Sequence, residues 1–138
     1  MAVPPGFVLD ASVTIAAVLT EDRTQEARAI LRAGLGNIAV PALWYLEVGN
    51  ILVRAERRGM ISPNDRLAHI ADLSLLPVTV DHKGAARAWR ATTAAALRHG
   101  LTLYDATYLE LALRYRIPLA TFDAALVRAA AAENLPPR

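Results

Sequence analysis

The sequence predicts a three-layer α/β/α domain with a central parallel sheet. Short apolar segments alternate along the chain with longer segments of helical period, several of them rich in alanine. Parallel strands need crossover helices, and these helices cover both faces of the sheet, so the alternation indicates this architecture. The 138 residues, 54% of them hydrophobic, are enough to bury a sizeable core. We therefore expect residues 1–138 to form a single domain.

The first half of the chain contains two predicted strands and three helical segments. In order, these are a strand at GFVLD (6–10) with a helical stretch after it, a helix at TQEARAILRAG (24–34), a strand at NIAV (37–40), and a helix running to Arg58-Gly59. Gly34 is expected to end its helix, because glycine is the usual residue past a helix C-terminus. Pro41 is expected in the first turn of the helix that follows the second strand.

The second half repeats the alternation. Its predicted elements are a helix from Ser62-Pro63 to about Ser74, a strand at LPVTV (76–80), an alanine-rich helix ending at His99-Gly100, a helix from about Tyr104 to Tyr115, a strand at IPLATF (117–122), and a final helix. Ser62 and Pro63 are typical of an N-cap and of the first helical position after it.

Composition excludes several classes of protein. The chain has no cysteine, so it has neither disulfides nor thiolate metal ligands, which suits the cytoplasm, where we expect the protein. It contains no run of about 18 apolar residues, so we expect no membrane span. The three histidines lack the spacing of a zinc site, and no GxSxG, GxGxxG or P-loop motif occurs. The net charge of only +2 does not by itself indicate a partner.

Three aspartates stand where predicted strands end. They are Asp10 after FVL, Asp81 after VTV and Asp123 after ATF. In parallel α/β sheets, ligands bind beyond the carboxyl ends of the strands. Each of the three could instead cap the helix that follows it, an interaction worth about 1 kcal/mol. Asp81 also has Lys83 close by, so either capping or pairing explains it, and position alone does not separate it from Asp10.

Two further acids lie on predicted helices. Asp105 falls on the same stripe as the apolar residues Tyr108 and Leu109, and no lysine or arginine follows three or four residues on to pair with it. Thr102 stands at capping distance before it, so a place in the first helical turn also accounts for Asp105. Glu47 lies opposite its helix's apolar face, either on a solvated stripe or as part of a functional pair with Asn50.

A cluster of carboxylates without histidine or thiolate is a hard oxygen-ligand site of the kind that Mg²⁺ or Mn²⁺ prefers. Like charges within a few ångström raise one another's pKa, and a divalent cation removes that penalty. Such an ion can promote attack of water on a phosphodiester. The acids of this chain are therefore compatible with metal-dependent hydrolysis.

The succession FVLDAS, PALWYLEVGNIL, LTLYDATYLELA and PLATFD resembles PIN-domain nucleases, in particular the VapC-type toxins of type II toxin–antitoxin systems. The resemblance covers nearly the whole chain, and the YDA–Y–LA helix and the T–D pair are its most specific parts. It implies that four acids form the catalytic, metal-binding cluster: Asp10, Glu47, Asp105 and Asp123. It implies hydrogen-bonding support from three polar residues: Ser12, Asn50 and Thr121. Asp81 matches no acid of the family, which favours capping.

The resemblance also implies an activity and partners. A VapC-type protein is expected to be an endoribonuclease that uses Mg²⁺ or Mn²⁺ to cleave structured RNA, such as tRNA or rRNA, and thereby inhibits translation. Its expected partners are a cognate VapB-like antitoxin and a second copy of the chain in a homodimer. The alternative is a non-catalytic PIN-like domain that serves as a protein-interaction module.

Two other classes of α/β enzyme fit poorly. A haloacid-dehalogenase-like phosphatase needs a second aspartate two residues after the first, where this chain has Ser12. A phospho-receiver domain needs a lysine after a late strand, and Lys83, the one lysine, comes too early.

Overall fold

The structure, a computed structural model, describes residues 6–19, 22–34 and 36–138. Within these ranges, four parallel strands form one sheet in the order β3-β2-β1-β4. The strands are β1 (Phe7–Leu9), β2 (Ile38–Pro41), β3 (Val78–Asp81) and β4 (Leu119–Ala120). The first strand of the chain thus lies inside the sheet, with β2 on one side and β4 on the other. The predicted α/β class with a central parallel sheet is confirmed.

Helices flank the sheet. In the described ranges they are α1 (Ala11–Val18), α2 (Thr24–Ala33), α3 (Leu43–Arg57), α4 (Pro63–Ser74), α5 (Gly84–Arg87), α6 (Thr93–His99), α7 (Leu103–Tyr115) and α8 (Ala124–Ala132), and a π-helical stretch, Ala88–Thr92, joins α5 to α6. All the predicted helices are present, although the alanine-rich one contains this change of helical type. None of the described helices combines the length and apolarity needed to cross a membrane.

The core is centred on β1 and on α7, which packs against β1, β2 and β4. Every residue of β1 and β2 is buried, as expected of strands covered on both faces. On α7, Tyr108 and Leu109 are completely buried, which confirms that this stripe of the helix faces the core. Because Asp105 lies on the same stripe, burial of the helix carries its carboxylate inward too.

Helix caps account for the starts of α4 and α7. Ser62 and Asp65 form a reciprocal capping box at α4, with Pro63 in the first turn as predicted. Thr102 caps α7 by accepting a hydrogen bond from the backbone N–H of Asp105 at 3.1 Å. These local signals fix where each helix begins, and hence which residues stand in its first turn.

Two strand boundaries differ from prediction. Pro41 ends β2 and pairs with Asp81, instead of entering the first turn of α3. Because β2 pairs with β1 only through Ile38 and Ala39, Pro41 is bordered by β3 alone, where a missing N–H is tolerated. Asp81 is correspondingly the last residue of β3 and not the residue after it.

The last strand, β4, is shorter than the predicted segment 117–122. The backbone N–H of Phe122 donates to the Ser12 hydroxyl, and that of Asp123 donates to the Thr121 hydroxyl. The Ser12 side chain thus takes the Phe122 donor, which would otherwise continue the ladder with β1.

Gly34 follows α2 as predicted, but for a different reason. Its φ is −98°, so it does not adopt the left-handed conformation for which glycine is usually selected at this position. A Cβ atom there would lie 2.2 Å from a ring carbon of Phe7. Glycine is needed because the end of α2 contacts the ring of the first β1 residue.

We expect Gly34→Ala to lower the free energy of unfolding by about 1–3 kcal/mol, because the added methyl group must displace the buried Phe7 ring. The control is Gly49→Ala, in the middle of α3, where a Cβ would meet no atom within 4 Å. That variant should be unchanged or more stable by about 0.5–1 kcal/mol, since alanine favours a helix. Denaturant unfolding of both variants measures the difference; equal stabilities would contradict the packing argument.

Candidate active site

Four carboxylates lie near one another beyond the carboxyl ends of β1 and of its neighbour β4. Asp10 follows β1 and Asp123 follows the β4 segment beside it, so parallel pairing brings them to one edge of the sheet. Asp105 is in the first turn of α7, and Glu47 is in the second turn of α3. The charges of Asp10, Glu47 and Asp123 all act on Asp105. The structure therefore places the other three acids implied by the resemblance to PIN nucleases within electrostatic range of Asp105.

Asp10 does not cap the helix that it precedes. It occupies the N-cap position of α1, but its side chain accepts no capping hydrogen bond from the backbone of that helix. Its Oδ2 instead accepts hydrogen bonds from Ser12 Oγ at 2.7 Å and Thr121 Oγ1 at 2.8 Å. Only 5% of Asp10 is exposed. The capping explanation is therefore wrong for Asp10, whose carboxylate is oriented by two hydroxyls.

The same two hydroxyls are themselves fixed by backbone donors. Ser12 Oγ accepts from the N–H of Phe122 at 2.9 Å, and Thr121 Oγ1 accepts from the N–H of Asp123 at 3.0 Å. A hydroxyl that accepts from a rigid N–H directs its own proton elsewhere, here to Asp10. Ser12 and Thr121 thus link the start of α1 to the turn between β4 and α8, and both lie where the family resemblance predicted support.

Asp123 does cap its helix. Its Oδ1 accepts a hydrogen bond from the backbone N–H of Leu126 at 3.0 Å, at the start of α8. The capping explanation is confirmed for this residue, yet its charge still acts on Asp105. One oxygen of a carboxylate can serve the cap while the other faces the cluster.

Asp105 is the most electrostatically perturbed of the four acids. Burial and then the charges of Asp123, Asp10 and Glu47 raise the pKa of Asp105 to about 6. Its interaction with Thr102 involves the backbone N–H and leaves the carboxylate without a cap partner of its own. The half-buried carboxylate therefore faces other negative charges.

Glu47 is held by Tyr108, which the sequence predicted only as a residue of the apolar core. Tyr108 Oη donates a hydrogen bond to Glu47 Oε1 at 2.5 Å. Burial raises the pKa of Glu47, the Tyr108 hydrogen bond opposes that rise, and the charge of Asp10 adds to it. The solvated-stripe explanation of Glu47 is therefore wrong. Asn50 is exposed, and among the described residues its side chain has no hydrogen-bond partner.

The donor set suits a divalent cation by its chemistry. Among the described residues, no three acids are placed closely enough to hold an ion as they stand. The cluster consists of carboxylate oxygens, which are the ligands of Mg²⁺ and Mn²⁺, and the repulsion that raises the pKa of Asp105 is what such a cation would remove. The residues therefore fit a cation, although the side chains do not form a preassembled cage.

Asp81 has a structural partner. Its two oxygens accept from the guanidinium of Arg114 at 2.6 and 3.2 Å, and the same guanidinium binds both oxygens of Glu110, which also contacts Arg87. Burial raises the pKa of Asp81, but the hydrogen bonds and charge of Arg114 outweigh burial and lower it. Asp81 is thus a pairing residue whose charged partner is Arg114, while Lys83 contributes only its backbone N–H, which donates to Asp81 Oδ1 at 3.3 Å. The i,i+4 spacing of Glu110 and Arg114 was the available signal.

Comparison with known proteins shows the family. A PIN domain family model matches residues 7–132. The ribonuclease VapC3 of Pyrobaculum aerophilum is 31% identical over 118 residues, or 85% of this chain and 88% of that protein. The crystal structure of PAE2754 from the same organism matches 91% of this chain and 79% of its own with a TM-score of 0.69 at 24% identity. Mycobacterium tuberculosis VapC20, a sarcin-ricin loop cleaving toxin, matches 94% of this chain and 99% of its own with a TM-score of 0.66 at 19% identity.

The raised pKa of Asp105 predicts how stability depends on pH without metal. Between about pH 4 and pH 6 the folded chain binds more protons at this group than the unfolded chain, so the free energy of unfolding falls as pH rises. Asp105→Asn removes this effect. We expect the variant to melt at a higher temperature than the wild type at pH 7 in EDTA, with the advantage shrinking towards pH 4.

The control for that experiment is Asp72→Asn, which removes an exposed carboxylate on α4. Its melting temperature should follow that of the wild type across the same pH range. Parallel curves for Asp105→Asn and Asp72→Asn would mean that Asp105 is not destabilised by its neighbours.

We expect Asp81→Asn to lower the stability of the protein without changing its activity per folded molecule. Removing one partner of a buried ion pair typically costs about 3–5 kcal/mol, and Glu110 remains to neutralise Arg114, so we expect a loss at or below that range. Denaturant unfolding at pH 7 measures the loss. The cluster acids are untouched, so activity per folded molecule should stay close to wild type, and a loss of several orders of magnitude would place Asp81 in the reaction.

Proposed function

The chain belongs to the PIN domain family, and on that basis we propose that it is a metal-dependent endoribonuclease toxin that cleaves structured RNA, such as tRNA or rRNA, and so inhibits translation. The observation that carries the proposal is the environment of Asp105, a half-buried carboxylate whose pKa is raised first by burial and then by the charges of three other carboxylates. The similarity to ribonuclease VapC3 supports an RNA substrate, and VapC20, which shares the fold, is a sarcin-ricin loop cleaving toxin.

The four acids have distinct roles in this proposal. Asp10 and Asp105 are the most direct ligands of Mg²⁺ or Mn²⁺, and Glu47 and Asp123 complete the site or act through water. When bound, the ion activates a water molecule for attack on the phosphodiester and neutralises charge on the phosphate. Everything else is supplied by the chain itself.

The supporting residues orient the acids before any ion arrives. Ser12 and Thr121 hold one oxygen of Asp10, which leaves the other oxygen to face the cluster. Tyr108 holds Glu47 in the same way. Preorganisation of this kind matters because misplaced ligands lose affinity and rate; removal of groups that orient a ligand typically costs 10- to 100-fold.

The similarity to VapC proteins also bears on how the activity of the enzyme is regulated. We infer that a cognate VapB-like antitoxin neutralises the enzyme by covering the acidic edge of the sheet, and that the active form is a homodimer. The similarity to VapC proteins supports both inferences.

RNA cleavage by the purified protein tests the proposal. A pool of tRNA and rRNA incubated with Mn²⁺ or Mg²⁺ should give discrete fragments, and EDTA should abolish them. Asp10→Asn and Asp105→Asn should each reduce the rate by more than about 100-fold, because each removes a direct ligand. Asp72→Asn, which changes the same charge on the exposed side of α4, should cut at the wild-type rate.

Two results would contradict the proposal in different ways. Undiminished cleavage in EDTA, or by the Asp10→Asn variant, would show that the four acids do not act through a metal. A folded wild-type protein that cleaves no RNA and binds no Mn²⁺ would instead identify a PIN-like interaction module.

A further inference from the structure

One stretch of the chain carries positive charge without any acid. Residues 82–104 contain four basic residues and two histidines but neither aspartate nor glutamate, in a chain whose net charge is only +2. The stretch forms α5, the π-helical stretch, α6 and the start of α7. Arg87 and Arg98 pair with glutamates elsewhere. Lys83 and Arg90 are exposed, and among the described residues neither side chain has an ion-pair partner.

Two aromatic rings in the same stretch are exposed. Trp89 is 89% exposed and Tyr104 is 64% exposed, whereas Trp44, the other tryptophan, is 3% exposed. An indole ring in water is a large apolar surface without a partner, and exposed aromatic groups often mark binding sites. Trp89 lies in the π-helical stretch, where the Thr93 hydroxyl donates to the carbonyl of Ala88 at 2.8 Å. Such stretches are rare and frequently occur at functional sites.

A cavity lies between this stretch and the two helices that carry Glu47 and Asp105. It has a volume of about 350 Å³ and lies between the first turns of α3, α5 and α7. Its lining residues include Leu43, Ala88, Tyr104 and Asp81, whose charge is paired with Arg114. Trp89, Glu47 and Asp105 are next to lining residues or one helical turn away, but neither Trp89 nor any of the four acids lines the cavity itself. Leu43 stands one helical turn before Glu47, Tyr104 directly precedes Asp105, and Ala88 directly precedes Trp89. The cavity thus borders both helices that carry catalytic acids and the basic, aromatic stretch, and its volume is typical of a small-ligand site.

We propose that this cavity binds an unpaired nucleotide of the RNA substrate next to the phosphodiester that is cut. The base in the cavity stacks on the lining residue Tyr104, a neighbouring base stacks on the exposed Trp89, and the flanking phosphates are bound by Lys83 and Arg90. Proteins recognise single-stranded RNA by this combination of aromatic platforms and cations. The proposal rests on the ribonuclease function proposed above and adds to it a requirement for an unpaired base beside the cleavage site.

Charge favours RNA over a second protein chain on this surface. In a symmetric dimer the same patch lies on both sides of the interface, so the unpaired charges of Lys83 and Arg90 would be brought towards an equally basic surface. Protein interfaces are also depleted in lysine, and Lys83 is the one lysine of the chain. A polyanion, in contrast, neutralises both cations and releases counterions.

Trp89 serves as the reporter in the first experiment. The Asp10→Asn variant, which binds RNA without cutting it, is titrated with mixed-sequence single-stranded RNA of about 12 nucleotides, a length within the usual site sizes. Stacking should quench the emission of the exposed Trp89, while the buried Trp44 is shielded. The same titration of Asp10→Asn with Trp89→Phe should show little change, since only Trp44 then emits.

Affinity is measured by the anisotropy of labelled RNA in the same Asp10→Asn background. Trp89→Ala and Tyr104→Ala should each weaken binding by roughly 5- to 100-fold, the range for loss of one stacked base. Lys83→Ala and Arg90→Ala should each reduce the slope of log affinity against log salt by about 0.7. Two matched controls should leave affinity unchanged: Leu97→Ala, which removes a side chain that is 80% exposed on α6, and Arg58→Ala, which removes an exposed cation after α3.

Two outcomes would overturn the subsite. In the first, RNA does not quench Trp89 and the four variants bind as tightly as their parent. In the second, Trp89→Ala or Tyr104→Ala leaves affinity unchanged but converts a dimer into monomers, so the surface is a protein interface. If the wild type still cuts RNA in either case, the ribonuclease function stands without the subsite. If the wild type does not cleave RNA either, both the ribonuclease function and the subsite are contradicted.

Discussion

Repulsion among carboxylates at one edge of the sheet is the constraint on which the account of this protein depends. Parallel pairing of β1 and β4 places Asp10 and Asp123 together, and the first turn of α7 adds Asp105. The hydroxyls of Ser12 and Thr121 donate hydrogen bonds to Asp10, which orient its carboxylate without neutralising its charge. In the proposed function, a divalent cation that binds these carboxylates would remove the repulsion and so stabilise the folded state.

Helix α7 carries two acids, Glu110 and Asp105, whose carboxylates have opposite electrostatic surroundings. Glu110 is 4% exposed and is neutralised by Arg114 and Arg87. Asp105, five residues earlier, faces three acids, and its pKa is raised to about 6. The first arrangement attaches α7 to the end of β3 through Asp81. In the second, no arginine of the described residues pairs with Asp105, and in the proposed function a divalent cation would neutralise its charge.

Local signals predicted much of this fold, and long-range contacts account for what they missed. Strand–helix alternation and the caps at Ser62 and Thr102 are encoded within a few residues, so the elements and their order could be predicted. Asp10 and Asp81 looked alike because the groups that distinguish them, Thr121 and Arg114, lie far along the chain. The family resemblance supplied the four acids, but it did not reveal the hydrogen bond from Tyr108, the packing role of Gly34 or the π-helical stretch.

The most direct test of the central claim is a calorimetric titration of the metal-free protein with Mn²⁺ at pH 6, repeated in buffers of different ionisation enthalpy. If the four acids form a cation site, Mn²⁺ binds the wild type and displaces protons, because Asp105 is about half protonated at that pH and a ligand must be deprotonated. The measured heat then changes with the buffer, and that dependence disappears in Asp105→Asn. Absence of binding, or identical binding and proton release by wild type and variant, would contradict the account.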